Sequence, residues 1–469
     1  MVEKPYKLGI FIFRRDLRLH DNSALLLAGK LCHKVLPCFI FDPRQIENNP
    51  YRGEFAVQFM LESIEDLSSE IEKVGGKLFL FYGYPHEVIT QLINKLNADS
   101  VFINNDYTPF SKERDEQIKI SAKERGVPLY SRDDVLLTSP DAILKEDGSP
   151  IIVFSRFYKR AIENVPVPEP VRLKDVNWFK EQIGSEVFQS LFGKVLKSYN
   201  NSVPVKGGRK SGLDILRRAY GLYNYGESHD MLDEDGTTML SPYLKFGCLS
   251  VREVYWGLKL NHPDPTPIIR QLYWRDFFTL IANHYPEVFG REFNRLYRGI
   301  WWSEDVDLFR KWSEGLTGFP IVDAGIRELV QTGWMHNRAR LITASFFTKD
   351  LHLNWRLGEK FFANYLVDYD PSVNNGNWQW CAGTGCDAQP YFRIFNPWLQ
   401  ARKFDPRAKY IKKWVPELRD LSTDEIHNWD KVSEMGLHKR NYPAPFVNHY
   451  EESEKTKLIF KEYVKRKEG

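Results

Sequence analysis

The residues best suited to chemistry crowd into the second half of the chain. In Gly333-Trp334-Met335-His336-Asn337-Arg338-Ala339-Arg340-Leu341, two arginines stand two positions apart and so point different ways on a helix. One can face a phosphate while the other is paired inside. A buried Arg needs a carboxylate, and Asp368 and Asp370 are the candidates. The run Asp368–Pro397 is the densest mixture of polar and aromatic residues. Asn374 and Asn375 sit among Trp378 and Trp380, and Gly376, Gly383 and Gly385 mark close backbone approach. As ordinary structure this would be an irregular stretch with many buried polar groups to satisfy, which is costly. It therefore reads as a cofactor site, in which an Asn amide donates to a bound aromatic ring. Gln271 and Trp274, three apart, share one helix face; beside a cavity, the Gln can bond a base edge and the Trp can stack on it. Thr237, Thr238, Met239, Leu240 and Ser241 precede Pro242, which can open a helix. Hydroxyls and amides at that point suit a diphosphate, although an ordinary N-cap reads the same way. Gln400–Trp414 sets Arg402, Lys403, Arg407, Lys409, Lys412 and Lys413 against Asp405, a solvated face or a phosphate-backbone contact.

These residues need a scaffold, and the chain length of 469 residues allows about three domains or two larger ones. Strand-like runs at Leu8–Phe13, Val35–Phe41, Leu78–Tyr82, Val101–Asn104 and Pro128–Ser131 alternate with helix-like stretches such as Phe55–Val74 and Lys112–Arg125. That alternation predicts βαβ units on a parallel sheet over 1–135. No GxGxxG follows the first strand, and Gly75-Gly76 reads as a helix stop. Residues 136–205 read as a long linker with short helices, broken by the Pro-rich 165–170. From 206 to 469 the pattern is helical, as in Ile321, Val322, Ile326, Leu329 and Val330 before Gly333. The fold class is thus α/β: a doubly wound parallel-sheet domain, a long linker and an all-helical domain.

Composition excludes several classes. A net charge of +3 is too small to prove a nucleic-acid partner, so any basic surface must be local. Five cysteines with no CxxC and no Cys–His cluster of ligand spacing argue against a disulfide framework or a structural metal and favour a reducing compartment. No signal peptide and no membrane-length apolar run is present. Twelve of the 13 Trp fall between Trp256 and Trp429; core filling explains any one of them better than it explains the set.

The whole chain resembles the photolyase/cryptochrome family, most closely its microbial CPD DNA photolyases. The resemblance rests on Phe13–Asn22, on Trp334–Arg340 and on Asn374–Pro397, in that order. It implies non-covalent FAD in the helical domain and light-driven electron transfer to a cyclobutane pyrimidine dimer in UV-damaged DNA. It assigns Tyr225, Thr237, Thr238, Met239, Leu240 and Ser241 to the pyrophosphate and places Arg275 near the cofactor. Arg340 and Asp368 become an ion pair beside the flavin, Asp370 a carboxylate near ribityl and adenine, and Asn374 the partner of flavin N5. Trp274 and Trp380 would contact the lesion, with Asn337, Arg338 and Leu341 as pocket and phosphate contacts. Trp378, Trp355 and Trp302 would relay electrons, with Trp301 as a competitor for the last place. No metal is implied.

Two positions depart from the CPD pattern. Gln271 stands where those enzymes have Glu, and keeps the hydrogen bonds without proton donation. Leu341 stands where they have Met. Gln at the first position also occurs in (6-4) photolyases and animal cryptochromes. That branch carries His at the positions of Asn337 and Leu341, which makes a (6-4) enzyme the lesser reading. A photoreceptor without repair activity is the other alternative; signalling members usually extend further past the helical domain. A nucleotidyl enzyme would need a phosphate motif in the first domain. Thr108-Pro109-Phe110-Ser111 after Tyr107 does not match the folate-binding pattern, so an antenna chromophore is expected to be 8-hydroxy-5-deazaflavin rather than folate, with FMN or FAD also open. The expected setting is a cytoplasmic or nucleoid-associated monomer with no membrane contact.

Overall fold

The computed structural model describes residues 4–47, 49–174, 176–435 and 441–468. Five strands, β1 (Tyr6–Phe13), β2 (Cys32–Phe41), β3 (Phe79–Tyr82), β4 (Ser100–Asn104) and β5 (Leu129–Arg132), form one sheet. All pairings are parallel, in the order β3-β2-β1-β4-β5. Ile10 to Phe13 and Val101 to Ile103 are buried, as expected of central strands covered on both faces.

Helices of eight residues or more are numbered in chain order. Those of the first compact unit are α1 (Ser23–Leu31), α2 (Glu54–Lys73), α3 (Pro85–Leu96), α4 (Pro109–Lys123), α5 (Phe154–Asn164), α6 (Phe188–Val195), α7 (Arg209–Ala219), α8 (Val251–Asn261) and α9 (Thr266–His284). Those of the second are α10 (Val306–Ser313), α11 (Pro320–Thr332), α12 (Asn337–Ser345), α13 (Trp355–Tyr365), α14 (Pro371–Ala382), α15 (Pro397–Phe404) and α16 (His449–Glu468). A π-helical turn, Phe346–Asp350, continues α12.

The compact units divide the chain differently from the expected bounds 1–135, 136–205 and 206–469. The first unit holds 1–201, 205–223 and 238–286; the second holds 202–204, 224–237 and 287–469. Helices α7, α8 and α9 join the sheet because long-range contacts tie them to it. Arg252 on α8 bonds Asp21 at 2.8 Å and Asp134 at 2.9 Å, and Arg18 bonds Asp134 at 2.6 Å. Burial works to raise the Asp134 carboxyl, but the two arginines hold it at about 2. Tyr243 packs its edge on Phe59 of α2, with ring centroids 5.1 Å apart. The opening motif Phe13–Asn22 is thus a structural clasp, with Arg18, Asp21 and Asn22 buried.

The second unit is helical, with no β-strand among its described residues. Its core closes around Trp312, Phe347, Trp355 and Trp378. Lys349, on the π turn, is buried and donates to the Ala382 carbonyl at the end of α14 at 2.7 Å; burial pushes its ammonium down to about 7. None of the five cysteines is in a disulfide, and all are buried. Burial pushes every one of their thiols up, Cys32 and Cys248 to about 11 and Cys381 to about 12. Among the described residues, no helix is long and apolar enough to cross a membrane.

Candidate functional site

Within the second unit, the two sequence runs meet through one ion pair. Helix α11 ends at Gly333, whose φ of 70° is left-handed and suits a residue without a Cβ. The chain then turns into α12, where His336 Nδ1 accepts from the Arg338 backbone N–H at 3.1 Å and caps the helix. Arg340 Nη2 donates to Asp368 Oδ2 at 3.0 Å, and its Nε donates to the Met335 carbonyl at 2.8 Å. Arg338, one side of the helix away, binds Asp230 through Nε at 3.2 Å and through Nη2. Its guanidinium also lies 4.2 Å from the Phe404 ring. Both arginines are therefore paired, and Asp230 is a partner that sequence reasoning missed. Nothing in the sequence marks a carboxylate 108 positions away.

The run expected to be irregular is half helix. Asp370 Oδ1 accepts from Ser372 and Val373 N–H at 3.0 and 3.2 Å and caps α14; the turn at Asp368–Asp370 and the stretch from Gly383 to Asn396 are not helical. The buried amides find partners on other segments. Asn374 donates to the Glu359 carbonyl at 3.0 Å, and Asn375 donates to the Val288 carbonyl and to Glu359 Oε1, both at 3.0 Å. Gln379 donates to the carbonyls of Val288 and Arg291 at 3.1 Å and accepts from Phe293 N–H at 2.8 Å. Burial lifts the Glu359 carboxyl to about 7 against the bond from Asn375.

Trp378 and Trp355 are buried, and Trp302 and Trp301 lie nearer the surface. Trp378 is 2% exposed and meets Phe362, Phe347 and Trp312 edge-on. Its ring lies over Gly358, where a Cβ would come within 2.1 Å of it. Gly358 is one helical turn from the fully buried Trp355 on α13. Trp355 and the half-buried Trp302 both donate to one oxygen, Glu292 Oε1, at 3.2 and 3.3 Å. Their nitrogens are thus no further apart than those two bonds end to end. Trp301, at 59%, points to solvent. Trp380 is half-buried, Leu341 likewise, and Asn337 is exposed at the start of α12. Tyr225 stacks on His229 with centroids 5.0 Å apart, in the same unit as Thr237. Of the basic cluster, Arg402, Lys403, Arg407, Lys409 and Lys413 are exposed; Arg407 Nε binds Asp233 at 2.5 Å.

The first unit holds the remaining predicted residues. On α9, Trp274 is half-buried and stacks on Phe154 with centroids 3.6 Å apart and planes 7° apart. Gln271, one turn earlier, is exposed. Arg275 donates to the backbone carbonyls of Val135 and Leu244. Buried Asp276 accepts from Thr138 N–H at 2.8 Å, and burial lifts its carboxyl to about 7. The segment before Pro242 carries no hydroxyl N-cap: Leu240 holds that position and Ser241 begins a short helix, Ser241–Lys245. Thr238 Oγ1 instead accepts from Leu240 N–H at 3.4 Å, and Met239 takes a left-handed φ of 54°. A local Thr turn can produce this as readily as a cap, which is why the spacing misled.

The donor set of the second unit fits a flavin. Arg340 keeps 23% of its side chain exposed beside Asp368. Asn374 has used one of its two amide hydrogens on Glu359. The model of the FAD binding domain of DNA photolyase matches residues 268–462, and that of DNA photolyase matches 10–172. A deoxyribodipyrimidine photo-lyase of Alkalihalophilus pseudofirmus is 36% identical, over 96% of this chain and 97% of its own. The archaeal photolyase of Sulfolobus tokodaii, solved with two FAD molecules, superimposes with a TM-score of 0.88 at 41% identity, covering 97% of this chain and 100% of that one. A class III photolyase of Agrobacterium tumefaciens gives 0.90 at 33% identity, with 98% of each chain covered. With a matching architecture and relatives this similar over nearly its whole length, the chain belongs to the DNA photolyase family.

Proposed function

We propose that this protein repairs cyclobutane pyrimidine dimers in UV-damaged DNA under blue light, with non-covalent FAD in its helical part. One observation carries the reading: Arg340 on α12, its partner Asp368 in the turn before α14, and Asn374 and Trp378 on α14 lie together inside the segment that the FAD-binding model matches. Bound there in reduced form, FAD supplies the electron that opens the cyclobutane ring when light excites it.

The side chains then have separate tasks. The remaining amide hydrogen of Asn374 serves the ring edge on which negative charge must be held, and a fixed donor in a dry site does this at little reorganisation cost. Arg340 balances that charge, with Asp368 orienting its guanidinium. Tyr225, Thr237 to Ser241, Arg275 and Asp370 serve the rest of the dinucleotide. Trp274 and Trp380 each offer the lesion an indole face, and Asn337 and Leu341 shape its pocket. Gln271 bonds the pyrimidine edge without a proton to give. Arg338 meets a backbone phosphate in exchange for Asp230. A damaged pair is poorly stacked and so is the cheapest to extrude from the duplex. A tricyclic antenna of flavin or deazaflavin type belongs to the sheet domain, in keeping with the second FAD of the Sulfolobus tokodaii relative. Five buried thiols suit a reducing compartment shared with DNA.

The test is a repair assay on reduced protein with two oligonucleotides, one bearing a cyclobutane dimer and one a (6-4) product, with a dark control. Light-dependent loss of the first alone is expected. Repair of the (6-4) product, or of neither while flavin is bound and photoreducible, overturns the reading.

A further inference from the structure

Glu292 is a buried carboxylate that receives three side chains at once. Its Oε1 accepts from Trp355 Nε1 at 3.2 Å and from Trp302 Nε1 at 3.3 Å. Arg356 Nη2 lies 3.0 Å from each of its oxygens. Burial works to raise this carboxyl, but Arg356 and the Trp355 N–H turn the balance and hold it below its usual range, so it is ionised at neutral pH. The same Arg356 guanidinium sits 4.6 Å from the Trp355 ring centroid, and its Nε is anchored on the Gly290 carbonyl at 2.7 Å. Among the described residues no cation covers the Trp302 ring.

An indole that has lost an electron carries a positive charge. The carboxylate eases that charge on both rings, since both N–H groups point at one oxygen. The guanidinium opposes it, most strongly on the ring it covers. We propose that Glu292 and Arg356 form a polarising pair that drives the electron vacancy outward, from Trp355 to Trp302. The inference rests on the reading of Trp378, Trp355 and Trp302 as an electron route. One electron leaves Trp378 for a photoexcited oxidised flavin, Trp355 refills Trp378, and Trp302 refills Trp355. No bond forms or breaks and no proton has to move. Glu292 and Arg356 are positioning residues: neither is oxidised.

Flash excitation of the FAD-loaded protein, followed at the tryptophanyl radical absorption, tests this. In R356Q the vacancy returns to Trp355, and the radical should decay about tenfold faster, the change expected of one screened charge at that distance. R356K keeps the charge and should decay like the parent. E292Q keeps an acceptor oxygen but not the charge, and should lower the radical yield. W378F separates the two levels of the argument. A long-lived radical in W378F overturns the route itself. Loss of the radical in W378F with parent-like decay in R356Q overturns the polarising pair alone. R356K decaying like R356Q also overturns it. Should R356Q not fold, an unchanged yield in E292Q does the same.

Discussion

Trp274 and Trp378 are the same residue in opposite surroundings. Trp274, in the sheet-containing unit, lies face to face with Phe154, has Phe278 stacked at 5.5 Å and Phe277 edge-on, and still remains half-buried. Trp378, in the helical unit, is enclosed by edges and rests on a glycine. An indole with accessible surface can bind something; a sealed one can only pass charge or fill space. Exposure, not residue type, separates Trp274 from Trp378.

The sharpest way to break this contrast is Trp378→Phe. It should abolish light-driven reduction of bound oxidised flavin while chemically reduced protein still repairs dimers. Photoreduction at the parent rate would make Trp378 a filler. Next is Trp274→Ala, which should weaken binding to dimer-containing DNA by about 1–3 kcal/mol, the worth of one stacked base, and leave photoreduction unchanged. Equal affinity in a binding titration would remove Trp274 from the substrate surface. Gly358→Ala tests the seal. A Cβ within 2.1 Å of the Trp378 ring must push it aside, at about 1–3 kcal/mol of stability by denaturant titration. The smallest effect concerns Glu359, raised to about 7 by burial. A raised folded pKa means its contribution is full below the unfolded value of about 4.5 and is lost as pH rises through about 7. Glu359→Gln should therefore flatten the fall in urea midpoint between pH 5 and 8. An unaltered slope would place the pH dependence on other groups, such as Glu328, which burial also lifts to about 7.

The sheet was easy to read because a central parallel strand is a short apolar run between turn signals. Each of the five strands lies within three residues of its expected bounds. Helix α11 and its stop at Gly333 were legible for the same local reason. The site was legible only in part. The rule that a buried Arg needs a carboxylate left Asp368 and Asp370 both open, and the family resemblance singled out the Arg340–Asp368 pair that the structure forms. The helix α14 did not, because a stretch holding Asn374, Asn375 and Gln379 looks unsatisfiable until Val288, Arg291 and Glu359 are known to be near. Asp230 and Glu292 stayed hidden for a related reason: each meets its partners across more than sixty residues of intervening chain, apart from Trp302. The compact units run across the expected bounds because Arg252 reaches back to Asp21, a contact no local composition shift announces.

The five buried cysteines bear on durability. Oxidants and alkylating agents attack the thiolate, and every one of these thiols holds its proton well beyond neutral pH. A flavoprotein kept in sunlight generates peroxide and singlet oxygen beside its own cofactor. Here the thiols present no ready target, so photochemical ageing should spend itself on exposed side chains such as the Trp301 indole and the Met435 thioether before it reaches a cysteine. Storage without a thiol reductant should accordingly cost the protein little.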